Sequence, residues 1–364
     1  FSHVFFQHNG LPQRWSEGLQ DKNHFVIAEL GFGSGLNCVL TIKKWLDFLA
    51  DTNFTACLHY IAIEKYPLSP QALTELISRY PELKVYADEL IENYPPAVEA
   101  THIRRLFDNR VVVHYKFMDV MRALQGQGLN VDAWYLDGFS PAKNPDMWSE
   151  SLFAYIAKNS QQGATCSTYT SAGFVKRNLV KAGFDVHKVA GYGKKREMLV
   201  ARLTIENPDN TVSNKLGYRG KPWYELPGKQ TCSERNVTII GAGIAGLSLA
   251  YALVQRGWQV TVVDKHGEAE KEASSNPAPI VYPRLSVNDD VATEYYTTAY
   301  CYALHIFNLL QKNSQQHFWF DDGLLQLINK QRITQIIEKF KFNSGFVSIV
   351  SESPVSKDEA QMLV

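Results

Sequence analysis

Phe25-Val-Ile-Ala-Glu-Leu-Gly-Phe-Gly-Ser-Gly35 runs an apolar stretch straight into three glycines at every second position. The apolar part reads as a buried strand, and the glycines as a sharp turn into a helix whose first backbone N–H groups face a nucleotide ligand. A second stretch of the same design lies about 210 residues on, where Val237-Thr-Ile-Ile240 precedes Gly241-Ala-Gly-Ile-Ala-Gly246. The two turns are spelled differently, which predicts two different cofactors and two chemistries in one chain.

Outward from the first turn, strand candidates at 25–30, 56–63, 111–117, 131–137, 164–169, 184–190 and 197–205 alternate with helix candidates. The helices are expected at 36–49, 69–80, 82–93, 97–107, 149–159 and 172–182. Alternation of this kind predicts an α/β fold with a mostly parallel, doubly wound sheet covered on both faces. The last two strands are joined only by Gly191-Tyr-Gly193, so a C-terminal antiparallel hairpin is expected.

The 364-residue length predicts two domains. We expect them at 1–205 and 236–364, joined by a linker at 206–235 rich in Asn, Pro, Gly, Ser and Lys. Beyond Asp264 the pattern predicts a loop (265–289), a helix (291–311), a strand pair (317–328) and a further helix (332–340). The chain starts at Phe1 without a methionine and stops at Val364 soon after the second domain begins, so an excerpt of a longer protein is expected.

Formal net charge is zero, so attraction to a polyanion must come from a local patch. Residues 171–202 supply one. Lys176, Arg177, Lys181, Lys188, Lys194, Lys195, Arg196 and Arg202 face only Asp185 and Glu197. Tyr169, Phe174 and Tyr192 lie among or beside them and suit base stacking. The bland alternative is an ordinary solvated basic face. The five cysteines form no C-x-x-C pair, which argues against zinc and against a disulfide framework. No apolar run reaches the ~20 residues of a membrane span. The expectation is a cytoplasmic protein with no membrane and no metal partner.

Three groups in order make a cofactor site out of the first turn. Glu29, Gly31, Gly33 and Gly35 form the turn, Glu64 after the second strand suits ribose hydroxyls, and Asp119 after the third can accept from an adenine amine. The spelling E-x-G-x-G-x-G resembles the S-adenosylmethionine (SAM) turn of class I methyltransferases, not the G-x-G-x-x-G of NAD enzymes. In the fourth strand, Val131-Asp-Ala-Trp-Tyr-Leu-Asp137 places Asp137 at a carboxyl end of the sheet, with Phe139 and Pro141 as an apolar wall. A carboxylate beside such a wall suits a primary amine, whose lone pair it can aim and whose proton it can take. The bland alternative for Asp137 is a helix cap.

Leu136-Asp-Gly-Phe-Ser-Pro-Ala-Lys-Asn-Pro-Asp-Met-Trp148 resembles the signature of the MnmC family of bifunctional wobble-uridine tRNA-modification enzymes. Ile63-Glu-Lys-Tyr-Pro-Leu68, Thr170-Ser-Ala-Gly-Phe-Val175 and Gly191-Tyr-Gly-Lys-Lys-Arg-Glu-Met198 extend the likeness over most of residues 4–205. The resemblance implies SAM-dependent methylation of the aminomethyl group of 5-aminomethyl-2-thiouridine in the tRNA anticodon. It gives Asp137 the catalytic position and Glu29, Gly31, Gly33, Gly35, Glu64 and Asp119 the SAM site. Lys194, Lys195 and Arg196, at a hairpin tip, are the expected tRNA contacts.

Gly241, Gly243, Gly246 and Asp264, spread over a strand–turn–helix–strand unit, form a dinucleotide fingerprint in its proper context. FAD and NAD both fit that pattern. The continuation resembles the amino-oxidase type of FAD enzyme, the second half of the same family, where flavin oxidises the carboxymethylaminomethyl side chain. The next loop departs from the family's Gly-Ala-Ser-Gly-Asn-x-x-Gly, reading Glu272-Ala-Ser-Ser-Asn-Pro-Ala-Pro279 here. The competing readings are a small-molecule amine methyltransferase fused to an amine oxidase, and a non-enzymatic SAM-binding RNA module.

Overall fold

The computed structural model describes residues 1–20, 22–125, 128–138, 140–193, 195–204, 234–266, 272–277, 279–283, 286, 288, 291–320 and 335. They fall into two compact units, Phe1–Asn207 together with Tyr282–Val364, and Pro208–Val281.

In the first unit a helix α1 (Leu11–Gly18) precedes β1 (His24–Leu30), α2 (Leu36–Ala50), β2 (Cys57–Glu64), α3 (Pro70–Ile77) and α4 (Lys84–Glu92). Then follow β3 (Thr101–Leu106), β4 (Val111–Phe117), α5 (Val120–Leu124), β5 (Val131–Leu136), α6 (Glu150–Lys158) and β6 (Ser160–Thr168). The series closes with α7 (Gly173–Lys181), β7 (Phe184–Ala190) and β8 (Glu197–Leu203). The eight strands form one sheet in the order β3-β4-β2-β1-β5-β6-β8-β7. β1 pairs in parallel with β2 and β5, while β7 and β8 form the expected antiparallel hairpin. The doubly wound α/β fold read from the sequence is the fold observed. Strand order reverses between β1 and β5, so the crevice for a ligand opens at the carboxyl ends of those two strands.

Side-chain alternation along β1 explains why both faces are covered. Phe25 and Ile27 enter one core with Trp15, Trp45, Tyr60 and Tyr135. Val26, Ala28 and Leu30 enter the other with Trp134, Trp148, Leu152 and Phe153. In α2, the buried Cys38, Val39, Ile42 and Trp45 follow the helical period and seat it on the sheet.

The helix expected at 97–107 is not there. β3 pairs antiparallel with β4 instead, through a turn in which Phe107, Asp108 and Asn109 all have positive φ. The inward residues of β3 are His102, Arg104 and Leu106. Two of the three are polar, so a count of apolar residues does not register the period of two. Burial is tolerated because Arg104 Nε donates to Asn93 O at 2.9 Å and His102 Nε2 pairs with Val98 O at 2.9 Å. The helix expected at 69–80 ends at Ile77, ahead of Pro81, which opens a short 3-10 turn before α4. β6 starts at Ser160, four residues before the expected 164.

The second unit contains β9 (Asn236–Ile240), α8 (Ile244–Val254) and β10 (Gln259–Val263), with β9 and β10 parallel. A 3-10 turn at Glu272–Ser275 lies in the loop that follows. α9 (Val291–Lys312) falls in the stretch expected to belong to the second domain, yet it packs on β3 of the first unit. Its buried Thr293, Thr297 and Cys301 recur every four residues along one face, and Arg122 reaches its Glu294 at 3.5 Å. Nearly all of the linker at 206–235 and of the elements expected at 317–328 and 332–340 lies outside the described residues. Among the described residues, no helix is long and apolar enough to cross a membrane.

Candidate active site

The glycine turn between β1 and α2 is built on left-handed backbone. Gly31, Gly33 and Gly35 have φ of 84°, 51° and 70°, a region that residues with a Cβ rarely adopt. Gly31 N–H donates to Ile63 O at 2.9 Å, tying the turn to the end of β2. Glu64, the last residue of β2, accepts from Gly33 N–H at 3.0 Å and from Tyr66 N–H at 2.9 Å. A Cβ on Gly33 would meet nothing within 4 Å, so the outer face of the turn is open beside a fixed carboxylate. That combination fits a ligand carrying ribose hydroxyls.

Asp119 caps α5 by accepting from Met121 N–H at 3.0 Å, and its other oxygen pairs with Lys65 Nζ at 3.2 Å. Glu29 lies underneath the turn, with no exposure at all. Tyr60 Oη donates to its Oε2 and Asn37 Nδ2 to its Oε1, each at 2.7 Å. Burial pushes its carboxyl up to about 8, partly offset by those hydrogen bonds.

Across the crevice, Asp137 follows β5 directly. Burial raises its carboxyl to about 6, with the Asn37 hydrogen bond and Lys195 pulling the other way. Asn37 Nδ2 is 2.7 Å from its Oδ2. Tyr169, just past β6, donates its hydroxyl to the carbonyl of Gly138. Lys195 Nζ lies 3.9 Å over the Tyr169 ring and donates to Tyr169 O at 3.3 Å. These two residues line a cleft of about 440 Å³ with Thr170, Ser171, Arg196 and Glu197. Arg196 is exposed and Pro141 half-buried, while Phe139 and Lys194 lie outside the described residues.

The structure therefore brings Gly31, Gly33, Gly35, Glu64 and Asp137 to one crevice, with Glu29 sealed beneath the turn and Lys195 near the edge. Sequence reasoning missed Asn37, Tyr60 and Lys65. Asn37 carried one weak signal, a polar residue in the first turn of a helix whose buried side chains, Thr41 apart, are apolar.

In the second unit, Gly241 has φ of 104° and its N–H donates to Val263 O at 2.8 Å. A Cβ on Gly246 would stand 1.9 Å from Gly241 O, so only glycine lets α8 pack this closely on the turn. Asp264 accepts from Ala242 N–H at 2.8 Å and His266 N–H at 2.9 Å, which hold its carboxyl below the usual range. The glycines fit a dinucleotide. In this conformation the Ser274 hydroxyl accepts from Ile244 N–H at 3.1 Å and so takes one donor at the start of α8. Among the described residues, no group of three or more His, Cys, Asp or Glu is arranged to hold a metal ion.

Residues 81–204 match a family described as S-adenosyl-L-methionine-dependent methyltransferase, and residues 236–361 one described as FAD dependent oxidoreductase. The chain is 38% identical over 325 residues to the tRNA 5-methylaminomethyl-2-thiouridine biosynthesis bifunctional protein MnmC of Marinomonas sp. (strain MWYL1), covering 89% of this chain and 47% of that protein. To the protein of the same name from Stutzerimonas stutzeri (strain A1501) it is 37% identical over 366 residues, covering 99% and 52%. The chain thus spans about half the length of the curated relatives it matches. The solved structure of MNMC2 from Aquifex aeolicus overlaps 57% of this chain and 62% of that one, with 21% identity and a TM-score of 0.43.

Proposed function

We propose, from the premise that this chain is a relative of the bifunctional MnmC proteins and spans about half their length, that its first unit methylates a primary amine on tRNA. The substrate is 5-aminomethyl-2-thiouridine at the wobble position, converted to 5-methylaminomethyl-2-thiouridine. The observation that carries this reading is Asp137, a half-sequestered carboxyl facing the SAM-type glycine turn across the switch-point crevice.

SAM, when bound, supplies a methyl on a sulfonium: the amine lone pair takes it, the carbon–sulfur pair returns to sulfur, and a proton leaves the nitrogen. Gly31, Gly33 and Gly35 make room for it, with Glu64 for ribose hydroxyls and Asp119 for the adenine end. Glu29 braces the turn from beneath through Asn37 and Tyr60. Asp137 accepts hydrogen bonds from the amine, keeps its lone pair aimed, and takes up the proton. A carboxyl raised to about 6 is ionised at neutral pH yet more basic than an exposed aspartate, which suits that task. Phe139 and Pro141 wall the amine, and alignment supplies much of the rate. Lys194, Lys195 and Arg196 contact tRNA phosphates, while Tyr169 offers a ring near the reacting group.

In residues 236–364, Gly241, Gly243, Gly246 and Asp264 hold FAD. When bound, FAD supplies two-electron oxidation of the carboxymethylaminomethyl side chain in the longer protein, leaving the aminomethyl group after hydrolysis. Consecutive steps on one nucleoside give a reason for the two halves to share a chain, working on tRNA in the cytoplasm. The relatives' names do not favour the small-molecule alternative.

The deciding experiment incubates the protein with labelled SAM and tRNA lacking the final methyl group, followed by nucleoside analysis. Label in the wobble uridine is expected, and its absence there overturns the reading.

A further inference from the structure

Asn37 is the second residue of α2, and its amide nitrogen stands 2.7 Å from Glu29 Oε1 and 2.7 Å from Asp137 Oδ2. An amide nitrogen carries two hydrogens, so one group serves both acids. The opposite amide rotation would set its oxygen against Asp137 Oδ2, which is ionised at neutral pH, and leave Asp137 without a donor among the described residues, so the network itself assigns the nitrogen. Glu29 is sealed on its far side by Tyr60. Among the described residues, Asp137 is held through Oδ2 only. Among the described residues no hydrogen bond reaches its Oδ1.

We propose that Asn37 is a positioning residue for the amine methylation: by holding Oδ2 of Asp137 it turns Oδ1 toward the substrate nitrogen, and by serving Glu29 with the same amide it couples the two acids. The inference rests on the methyltransferase reading above. A neutral amide offsets little charge, so ionising either acid makes ionising the other harder, and the two titrate as a pair. The other groups facing this pair are Tyr60 and Glu64 from β2, Cys38 from α2, Lys195 from the β7–β8 turn, Tyr169 after β6 and the α-amino group of Phe1. None of them touches both acids through one atom. Asn37 does.

Asn37→Asp keeps the shape but exchanges the donor for a third acid. Four quantities are measured on this variant in the same 364-residue chain: kcat and KM for tRNA across roughly pH 5.5 to 9, SAM affinity by calorimetry, and the Asp137 carboxyl titration by carbon-13 NMR. The aspartate signal is assigned by its disappearance in Asp137→Asn. The expected result is SAM affinity within about threefold of wild type, kcat at neutral pH down at least about tenfold, and both the acid limb and the Asp137 titration moved up by about one pH unit. Asp137→Asn leaves Asn37 in place and removes the charge that Glu29 meets when it ionises second, so the Glu29 titration, read by the same NMR, is expected to move down, which keeps the coupling testable if Asn37→Asp does not fold. An unchanged pH profile and titration in folded Asn37→Asp, or an unmoved Glu29 titration in Asp137→Asn, overturns the proposal. Wild-type chain that transfers no methyl while the titrations shift as expected overturns the methyltransferase reading and leaves the coupling standing.

Discussion

Gly31 lies against Gly138. A Cβ on Gly31 would stand 3.3 Å from the Gly138 Cα and 3.4 Å from the carbonyl oxygen of Asp137. The turn that ends β1 and the segment that follows β5 are thus one packing contact, with the catalytic candidate inside it. Gly31→Ala would strain a backbone at φ 84°, at about 1–2 kcal/mol, and push on the Asp137 main chain. We expect an intact fold by circular dichroism, with SAM binding and methyl transfer each reduced at least about tenfold, since misplacement by an ångström is costly in catalysis.

Asp137→Asn removes the proton acceptor while keeping the shape and the crevice. Methyl transfer is expected to fall by about 10²–10⁴-fold, with SAM affinity within about threefold by calorimetry. Full activity in this variant would assign Asp137 a structural role. In the wild type the acid must be ionised to act, and its carboxyl is raised to about 6. kcat is therefore expected to rise as pH passes 6 and to level off above it.

Glu29 predicts a stability trend of opposite sense. Its ordinary value of 4.5 is raised to about 8, chiefly by burial, so the folded chain holds a proton that the unfolded chain releases. Its contribution is fully present below the unfolded value and is lost as pH rises toward 8, at about 1.4 kcal/mol for each unit of separation. Glu29→Gln is expected to flatten the fall of Tm between pH 5 and 8, measured by thermal unfolding of both chains. Parallel curves would show that Glu29 ionises freely in the fold.

Lys195 and Arg196 stand exposed at the tip of the β7–β8 hairpin. Replacing Lys194, Lys195 and Arg196 together by alanine is expected to weaken tRNA binding. It is also expected to lower the slope of log K against log salt by about 2, because each lost phosphate contact removes a released counterion. Filter binding at several salt concentrations measures both. An unchanged slope places the tRNA backbone elsewhere.

Some elements were legible because the cause is local. Alternation of Phe25 and Ile27 with Val26, Ala28 and Leu30 marks a strand covered on both sides, and no distant residue is needed to see it. Thr101–Leu106 was misread because His102 and Arg104 point inward. What makes their burial tolerable is Asn93 O and Val98 O, together with the cover provided by α9. Glu29 looked like a ligand group by its place before the glycines. Nothing in the adjacent residues shows that α2 and β2 close over it.

From the sequence alone came the doubly wound sheet, its two glycine turns, the acid at 137 and the basic hairpin. Each depends on backbone preference, side-chain period or charge, which neighbouring residues settle between themselves. The tertiary structure alone decided that Asn37 joins Glu29 to Asp137, eight residues before it in one direction and a hundred after it in the other. It also decided that both acids lose solvent and hold their protons to higher pH. Contact across such a separation, and the dielectric around a carboxyl, exist only once the chain has returned on itself and excluded water.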